Sequence, residues 1–204
     1  MVTDIYGGIE IRDPWPDDAN QGWIKAIDLF PLLEDGGPAG AYPAYAFLFG
    51  VRNEYGFSPI AEARGLPADV AASTREYLQP ELDYGQFVVS WLLWSEVKDL
   101  DLDGPFGHIA GQLEWNDGAS FWISRLIPAE VESGVLAFAG EPASSLNLAE
   151  ATTWQHNGVT YRYRPMTLGS YFGDGTPWGH VFAVMSALAG RFGDEGVRLV
   201  AGFD

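Results

Sequence analysis

Apolar and polar residues alternate along several segments of the chain, as they do in strands that bury one face. In residues 4–12 the odd-numbered positions are apolar, while Tyr6, Glu10 and Arg12 lie on the other side. A turn rich in proline and aspartate follows. Residues 23–29 are predicted to return as a second strand, which completes an N-terminal hairpin.

Turn residues predict two further hairpins, because Asn-Gly and Asp-Gly pairs readily adopt the positive φ angles of tight type I′ turns. Asn116-Asp117-Gly118 separates the predicted strands 107–115 and 119–126, and Asn157-Gly158 separates 152–156 and 159–164. Apolar runs predict three more strands: an inner strand covered on both faces at 86–94, a short strand at 134–139, and a closing strand inside the sheet at 197–203.

Proline and glycine delimit the predicted helices. Pro43 suits a first helical position and Gly50 the residue just past an end, so residues 44–49 are predicted to form a short helix. The other predicted helices are 67–78, which stops before Pro80, and 178–191, which stops before Gly193. Helices and strands do not alternate regularly. The sequence therefore predicts a single α+β domain over residues 1–204, with a mainly antiparallel sheet, a few short helices and long loops.

The segment between Gly50 and Pro67, here called the central loop, has no periodic pattern. Loops of this length are usually functional or disordered. Its arginine and aromatic residues argue against disorder. We therefore expect a packed, functional loop.

The net charge of −17 comes largely from missing cations, since the 204 residues include two lysines and nine arginines. No basic run is present, so direct nucleic-acid binding is not expected. The absence of cysteine excludes disulfides and thiol catalysis. The chain shows neither a secretory signal pattern nor an apolar run of membrane-spanning length, so we expect a cytoplasmic protein without a membrane partner.

Motifs for metal or catalytic chemistry are incomplete. Asp99–Gly104 matches the first half of a calcium loop, but Ala110 stands where a bidentate glutamate is needed. Ser95 and Lys98 have the S-x-x-K spacing without the motifs that accompany it in serine enzymes. The histidines lie on separate segments, at 108, 156 and 180. We therefore predict no catalytic residue, no metal ligand and no cofactor.

Three segments carry a resemblance: VRNEYGFSPIAEARGLPADV from Val51, SWLLWSEV from Ser90 and GVRLVAGFD from Gly196. They resemble a group of uncharacterised proteins of tailed phages and actinobacteria. Phe87 precedes Val88 and Val89 where such relatives would have histidine, so no histidine role carries over. The resemblance implies a small accessory protein of phage type, acting on host defence in the host cytoplasm.

Arginine and aromatic residues of the central loop, with two arginines of a later strand, form the predicted ligand site. Guanidinium groups bind phosphate in two places, and aromatic rings stack on bases. The predicted ligand-binding residues are Arg52, Asn53, Tyr55, Phe57, Arg64, Arg162 and Arg164. In the alternative, Arg52 and Arg64 pair with Glu54 and Glu62 and only pin the loop.

The sequence leaves three classes of function open. The leading hypothesis is a non-enzymatic binder that sequesters a small, phosphate-bearing, nucleotide-like signal of host defence, cyclic nucleotides included. A second is an inhibitor whose acidic surface occupies a basic host defence protein. A third is an enzyme with an unrecognised hydrolytic site. Self-association into a homo-oligomer is compatible with each of them.

Overall fold

A computed structural model of the protein describes residues 5–15, 22–33, 37–85, 88–118, 121–130, 136–140 and 146–203, and for residues 37–41 the backbone alone. It has two compact units, residues 1–100 with 171–204, and residues 101–170. Each unit contains a four-stranded antiparallel sheet. The α+β class and the antiparallel pairing are confirmed, and the extent of the domain stays a prediction.

The strands, in chain order, are β1 (Ile5–Arg12), β2 (Trp23–Asp28), β3 (Val88–Leu93), β4 (Ile109–Asn116), β5 (Ile123–Pro128), β6 (Thr152–His156), β7 (Val159–Pro165) and β8 (Val197–Phe203). The helices are α1 (Phe30–Leu33), α2 (Gly37–Phe49), α3 (Ala72–Asp83), α4 (Gly169–Phe172) and α5 (Pro177–Phe192). None of the described helices is long and apolar enough to cross a membrane.

The sheet of the first unit has the order β2-β1-β8-β3. Strand β8 lies inside it, and all seven of its residues are buried. Phe203 packs on Tyr45 and Phe49 of α2, whereas Val200 belongs to a core cluster with Leu78 of α3. Helices therefore cover both faces, and the predictions of the N-terminal hairpin and of an internal closing strand are confirmed.

Strand β3 lies at the edge of its sheet, so the prediction of an inner strand at 86–94 is wrong, and residues 86 and 87 lie outside the described residues. The central loop covers this edge. The N–H of Gly65 donates to the carbonyl of Val89 at 3.0 Å, and Arg64 Nη1 donates to the carbonyl of Trp91 at 3.2 Å. The central loop thus supplies hydrogen-bond donors to this edge, where an inner strand would have a second strand as its neighbour.

Two helices begin at other residues than predicted. Helix α2 starts at Gly37, so Pro43 lies inside the helix, although it ends before Gly50, which has φ +74°. Helix α3 starts at Ala72 and includes Pro80. The segment before it is tied to the sheet, since the N–H of Ala71 donates to Glu10 Oε1. Helix α3 therefore begins later in the chain than the predicted start at Pro67, because tertiary contacts hold the preceding segment.

The sheet of the second unit has the order β5-β4-β7-β6, and the strand pairing of both predicted hairpins is confirmed. The tight turn predicted at Asn116-Asp117-Gly118 is wrong, because β4 ends at Asn116 and β5 begins only at Ile123. Asn157 and Gly158 have φ +50° and +79°, as a type I′ turn requires. The predicted strand at 134–139 is wrong where it is described, because residues 137–139 form a single 3-10 turn; residues 134 and 135 lie outside the described residues. Trp154 Nε1 donates to the carbonyl of Ala139 at 2.8 Å, so this turn packs against β6 without pairing.

Candidate functional site

Two predicted site residues of the central loop hold the loop itself. Asn53 Nδ2 donates to the carbonyl of Phe57 at 2.7 Å, and the N–H of Phe57 donates back to Asn53 Oδ1 at 2.9 Å. The Phe57 side chain is buried and packs edge-on against Phe47. Both residues therefore have clear structural roles in closing this turn.

Arg64 is bound by a carboxylate. Its guanidinium donates to both oxygens of Glu96, at 2.6 and 2.8 Å, and to the carbonyl of Ile60 at 3.0 Å. It also lies over the ring of Trp91. Burial on its own would raise the pKa of Glu96, but the hydrogen bonds from Arg64 and from the Leu93 N–H hold that pKa below its usual value. The pinning partner of Arg64 is thus Glu96 and not Glu62.

Each of the other two predicted loop residues contacts an aromatic ring. Arg52 has φ +50° and lies over the ring of Tyr42, with its guanidinium carbon 5.1 Å from the centroid. Tyr55 is partly buried against Phe57, at 5.7 Å between centroids. Burial and the nearby charge of Glu54 raise the pKa of Tyr55, so its hydroxyl stays protonated at neutral pH.

The last two predicted site residues belong to the second unit. Arg162 and Arg164 lie opposite Glu114 and Gln112 of β4, on the outer face of the sheet. Arg164 Nη2 donates to Glu114 Oε1 at 2.7 Å. Arg162 lies over Trp122, with its guanidinium carbon 4.0 Å from the ring centroid. The seven predicted residues are therefore divided between the two units, five in the first and two in the second.

A buried ion pair in the first unit was not predicted. Arg198 of β8 is 2% exposed and donates through Nε to Glu10 Oε2 of β1 at 2.8 Å. Arg198 Nη1 also donates to Asp69 Oδ1 at 2.7 Å, and Trp23 Nε1 donates to Asp69 Oδ2. Alternation along β1 indicated only that Glu10 faces away from the core. Helix α3 covers that face, so the pair is buried and its hydrogen bonds join the sheet to the segment before α3.

Two cavities flank helix α3. The larger, of about 810 Å³, lies between β1, β2, α1 and α3, and its lining includes Lys25, Phe30, Glu76 and Tyr77. The smaller, of about 570 Å³, follows α3 to Tyr84, and Glu76 lines it as well. Five exposed acidic or aromatic side chains that line these cavities are here called the α3 face: Phe30, Glu76, Tyr77, Asp83 and Tyr84.

The charges at the α3 face leave a negative surplus. Lys25 is neutralised by Asp28, at 2.6 Å between Nζ and Oδ1. Arg75 lines the smaller cavity and donates to the carbonyl of Ala68 at 2.8 Å, which leaves its charge in place, but the carboxylates of Glu76 and Asp83 outnumber it. Among the described residues, the Glu76 side chain has neither an ion pair nor a hydrogen bond.

Aromatic rings accompany this carboxylate. Phe30 is 65% exposed, Tyr77 is 52% exposed and Tyr84 is 79% exposed. The ring of Tyr77 lies 6.2 Å from that of Tyr6. Carboxylates and the faces of aromatic rings both attract cations, so this arrangement is suited to an ammonium or guanidinium group.

The sequence contained a signal for the α3 face that our predictions did not use. Glu76-Tyr77 is repeated as Asp83-Tyr84, an acidic residue followed by tyrosine, after seven residues. Seven residues are close to two helical turns, so the two pairs lie on one side of the helix. Phe30 comes from another segment, and only the fold brings it near.

Within the described ranges, no group of three or more histidine, aspartate or glutamate side chains could hold a metal ion. In the calcium-like segment, Asp99 pairs with Lys98 and Asp101 Oδ1 accepts the N–H of Asp103. Comparison with protein-family models, curated proteins and solved structures found no match to this chain.

Proposed function

We propose that the protein is a non-enzymatic binding protein whose α3 face takes a basic segment of a partner protein. The observation that carries this proposal is Glu76, a carboxylate without a side-chain partner among the described residues, which lines both cavities. Exposed rings line the same cavities, Phe30 and Tyr77 in the larger and Tyr84 in the smaller. A lysine or arginine side chain would find both a counter-ion and aromatic contacts there.

Charge favours a basic partner over a phosphate-bearing ligand at this face. Lys25 is paired with Asp28, and the two carboxylates of Glu76 and Asp83 outnumber the remaining cation, Arg75, so an anion would be repelled. The net charge of −17 also attracts a cationic partner over long distances and raises its association rate. The resemblance to phage-type proteins adds the context, so the expected partner is a basic protein of host defence.

A short peptide tests the face directly. We expect a tetra-arginine peptide to bind in calorimetry, and its tetra-citrulline counterpart, which has nearly the same shape without charge, to bind at least about tenfold more weakly. Glu76→Gln and Tyr77→Ala should each weaken binding by about two- to fivefold, as expected for exposed ion pairs and cation–π contacts.

Glu195→Gln is the matched control, because Glu195 is exposed on the 3-10 turn 194–196 and makes the same change of charge. It should leave the affinity within about twofold. Equal losses in Glu76→Gln and Glu195→Gln would show that net charge alone attracts the peptide, and the α3 face would then be rejected as the site.

The second candidate function is sequestration of a nucleotide-like signal. It is favoured by the exposed pair of Arg162 and Trp122, a guanidinium beside a ring, and by Arg52, which lies over the ring of Tyr42. A calorimetric panel of cyclic and linear nucleotides tests it. Arg162→Ala or Arg52→Ala should reduce the affinity of a bound nucleotide by about ten- to a hundredfold. Absence of binding by every nucleotide would remove this candidate.

A further inference from the structure

Strand β5 has a free edge within the described part of the second unit. It pairs with β4 on one side, and no other described strand pairs with it. The backbone N–H and C=O groups along such an edge are a template on which another strand can form hydrogen bonds. Pro128 ends the strand, so the template covers residues 123–127.

Large apolar side chains are exposed at the start of this strand. Phe121 is 67% exposed, Trp122 is 38% exposed and Ile123 is 46% exposed. Ile123 lies opposite Trp115 of β4, whose ring packs on Phe138 at 5.4 Å. The apolar surface thus continues from the edge onto the neighbouring strand, and contiguous surfaces of this kind mark contact sites.

The edge strand also carries a cation, although the chain as a whole is strongly acidic. Arg125 is exposed and lies two residues from Ile123, so both side chains point to the same face of the sheet. On the other face, Arg162 lies over Trp122. A strand added beside β5 would therefore place its side chains next to an apolar residue and then next to a cation.

We propose that β5 accepts an extended segment of a partner protein as a fifth strand of this sheet. The added segment carries an apolar residue beside Ile123 and a carboxylate beside Arg125, two positions apart. Main-chain hydrogen bonds supply affinity in strand addition, and alternate side chains supply specificity. This surface is independent of the α3 face and calls for an acidic rather than a basic partner segment.

The probe is an acetylated and amidated peptide with the sequence Val-Thr-Glu-Thr-Val-Thr. We expect saturable binding by calorimetry and slower hydrogen exchange of the β5 amides. Two versions of the peptide, one N-methylated at the odd residues and one at the even residues, should differ in affinity, because only one set of amides faces β5. One version should lose about tenfold or more in affinity, since its donors are blocked.

Variants of Arg125 test the charge. Arg125→Glu should lower the affinity for the peptide by about fivefold or more. The same variant should bind a version of the peptide with lysine in place of glutamate more tightly than the parent peptide. Arg125→Gln gives an intermediate result if the reversed charge disturbs folding. Arg191→Glu makes the same change of charge on α5 in the first unit and should leave binding unchanged.

Two results would overturn the proposal. One is the absence of saturable binding up to about 1 mM peptide, which corresponds to a very weak interaction. The other is equal binding by the parent peptide and both N-methylated versions, because the contact would then not involve the strand edge.

Discussion

The role of Arg64 follows from its partners. Its guanidinium binds Glu96 through two hydrogen bonds and reaches the carbonyls of Ile60 and Trp91. These acceptors belong to the central loop, to β3 and to the turn after β3, so one side chain links three segments. A ligand would have to compete with a bidentate carboxylate that is already in place. Stability, more than binding, should therefore respond to a change at Arg64.

We predict that Arg64→Ala lowers the free energy of unfolding by about 1–3 kcal/mol, because Glu96 and two carbonyls lose a donor. The Arg64 side chain is 27% exposed, which keeps the effect below that of a fully buried pair. Urea unfolding measures the loss. Arg191→Ala, at an exposed position of α5, is the control and should change stability by less than about 0.5 kcal/mol. Equal stability of Arg64→Ala and the parent protein would contradict the pinning role.

The carboxylates of Glu96 and Asp69 make stability depend on pH. Burial would raise both pKa values, but hydrogen bonds from Arg64 to Glu96 and from Arg198 to Asp69 outweigh it and lower them. A carboxylate with a lowered pKa in the folded state stabilises the fold above its unfolded pKa, and this contribution is lost as pH falls through the folded value. Stability should therefore fall from about pH 5 downward.

Urea unfolding between about pH 6 and pH 3 measures this loss. Glu96→Gln should make the protein less stable at neutral pH and should flatten the decline, since the variant has one fewer group to protonate. Glu195→Gln, on the exposed turn after α5, should keep the parent slope. A Glu96→Gln profile parallel to that of the parent would show that Glu96 does not contribute to the pH dependence.

At the scale of elements, β8 is the centre of the first unit. It pairs with β1 and β3, and Leu199 is fully buried. We predict that Leu199→Ala costs about 2–5 kcal/mol, because a cavity remains where the side chain was. Val88→Ala, at the half-exposed start of β3, should cost less than about 1 kcal/mol. Similar losses for both variants, measured by urea unfolding, would contradict the central position of β8.

Local signals predicted the elements that depend on local chemistry. The Asn157-Gly158 hairpin follows from two residues that tolerate positive φ, and α5 ends before Gly193, whose φ is +80°. Thr176 caps its start through a hydrogen bond from the N–H of Gly179. Such contacts lie within a few residues of each other, so the sequence alone contains them.

Elements shaped by distant contacts were predicted less well. Pro67 is a plausible helix start, but Asp69 is held by Arg198 from the other end of the chain, and α3 begins only at Ala72. The apolar pattern of β3 indicated burial on both faces and could not indicate that a loop covers its edge. The α3 face could not be predicted for the same reason, because Phe30 and Glu76 line one cavity only after folding.

At the scale of the whole molecule, the predicted ligand residues show the same difference between local contacts, which the sequence indicates, and distant contacts, which it does not. Arginine and aromatic residues do meet, as Arg52 meets Tyr42 and Arg162 meets Trp122. The sequence analysis had assigned the arginines to phosphate and the rings to bases, so it did not predict these contacts within the protein. The sequence analysis also did not predict that Arg64 would pair with Glu96 or that Arg164 would pair with Glu114. Acceptors far along the chain decide which cations are available to a ligand.

The net charge of −17 should affect folding and binding in opposite directions as salt is added. Repulsion among like charges destabilises the compact state, so screening should raise the melting temperature between about 20 and 500 mM NaCl. The same screening should lower the affinity of the α3 face for the tetra-arginine peptide, because that contact relies on attraction between opposite charges. Near pH 4.3, the isoelectric point calculated from the sequence, both effects should shrink, since many carboxylates are then protonated.

Thermal melts and calorimetry over one salt series therefore separate the two claims. A melting temperature that rises while the peptide affinity stays constant would leave the charge account of stability intact and remove the electrostatic basis of the proposed function. Lower affinity together with an unchanged melting temperature would instead show that the carboxylates lie too far apart to repel one another. Only opposite trends in the two quantities support an acidic surface that both opposes folding and attracts a basic partner.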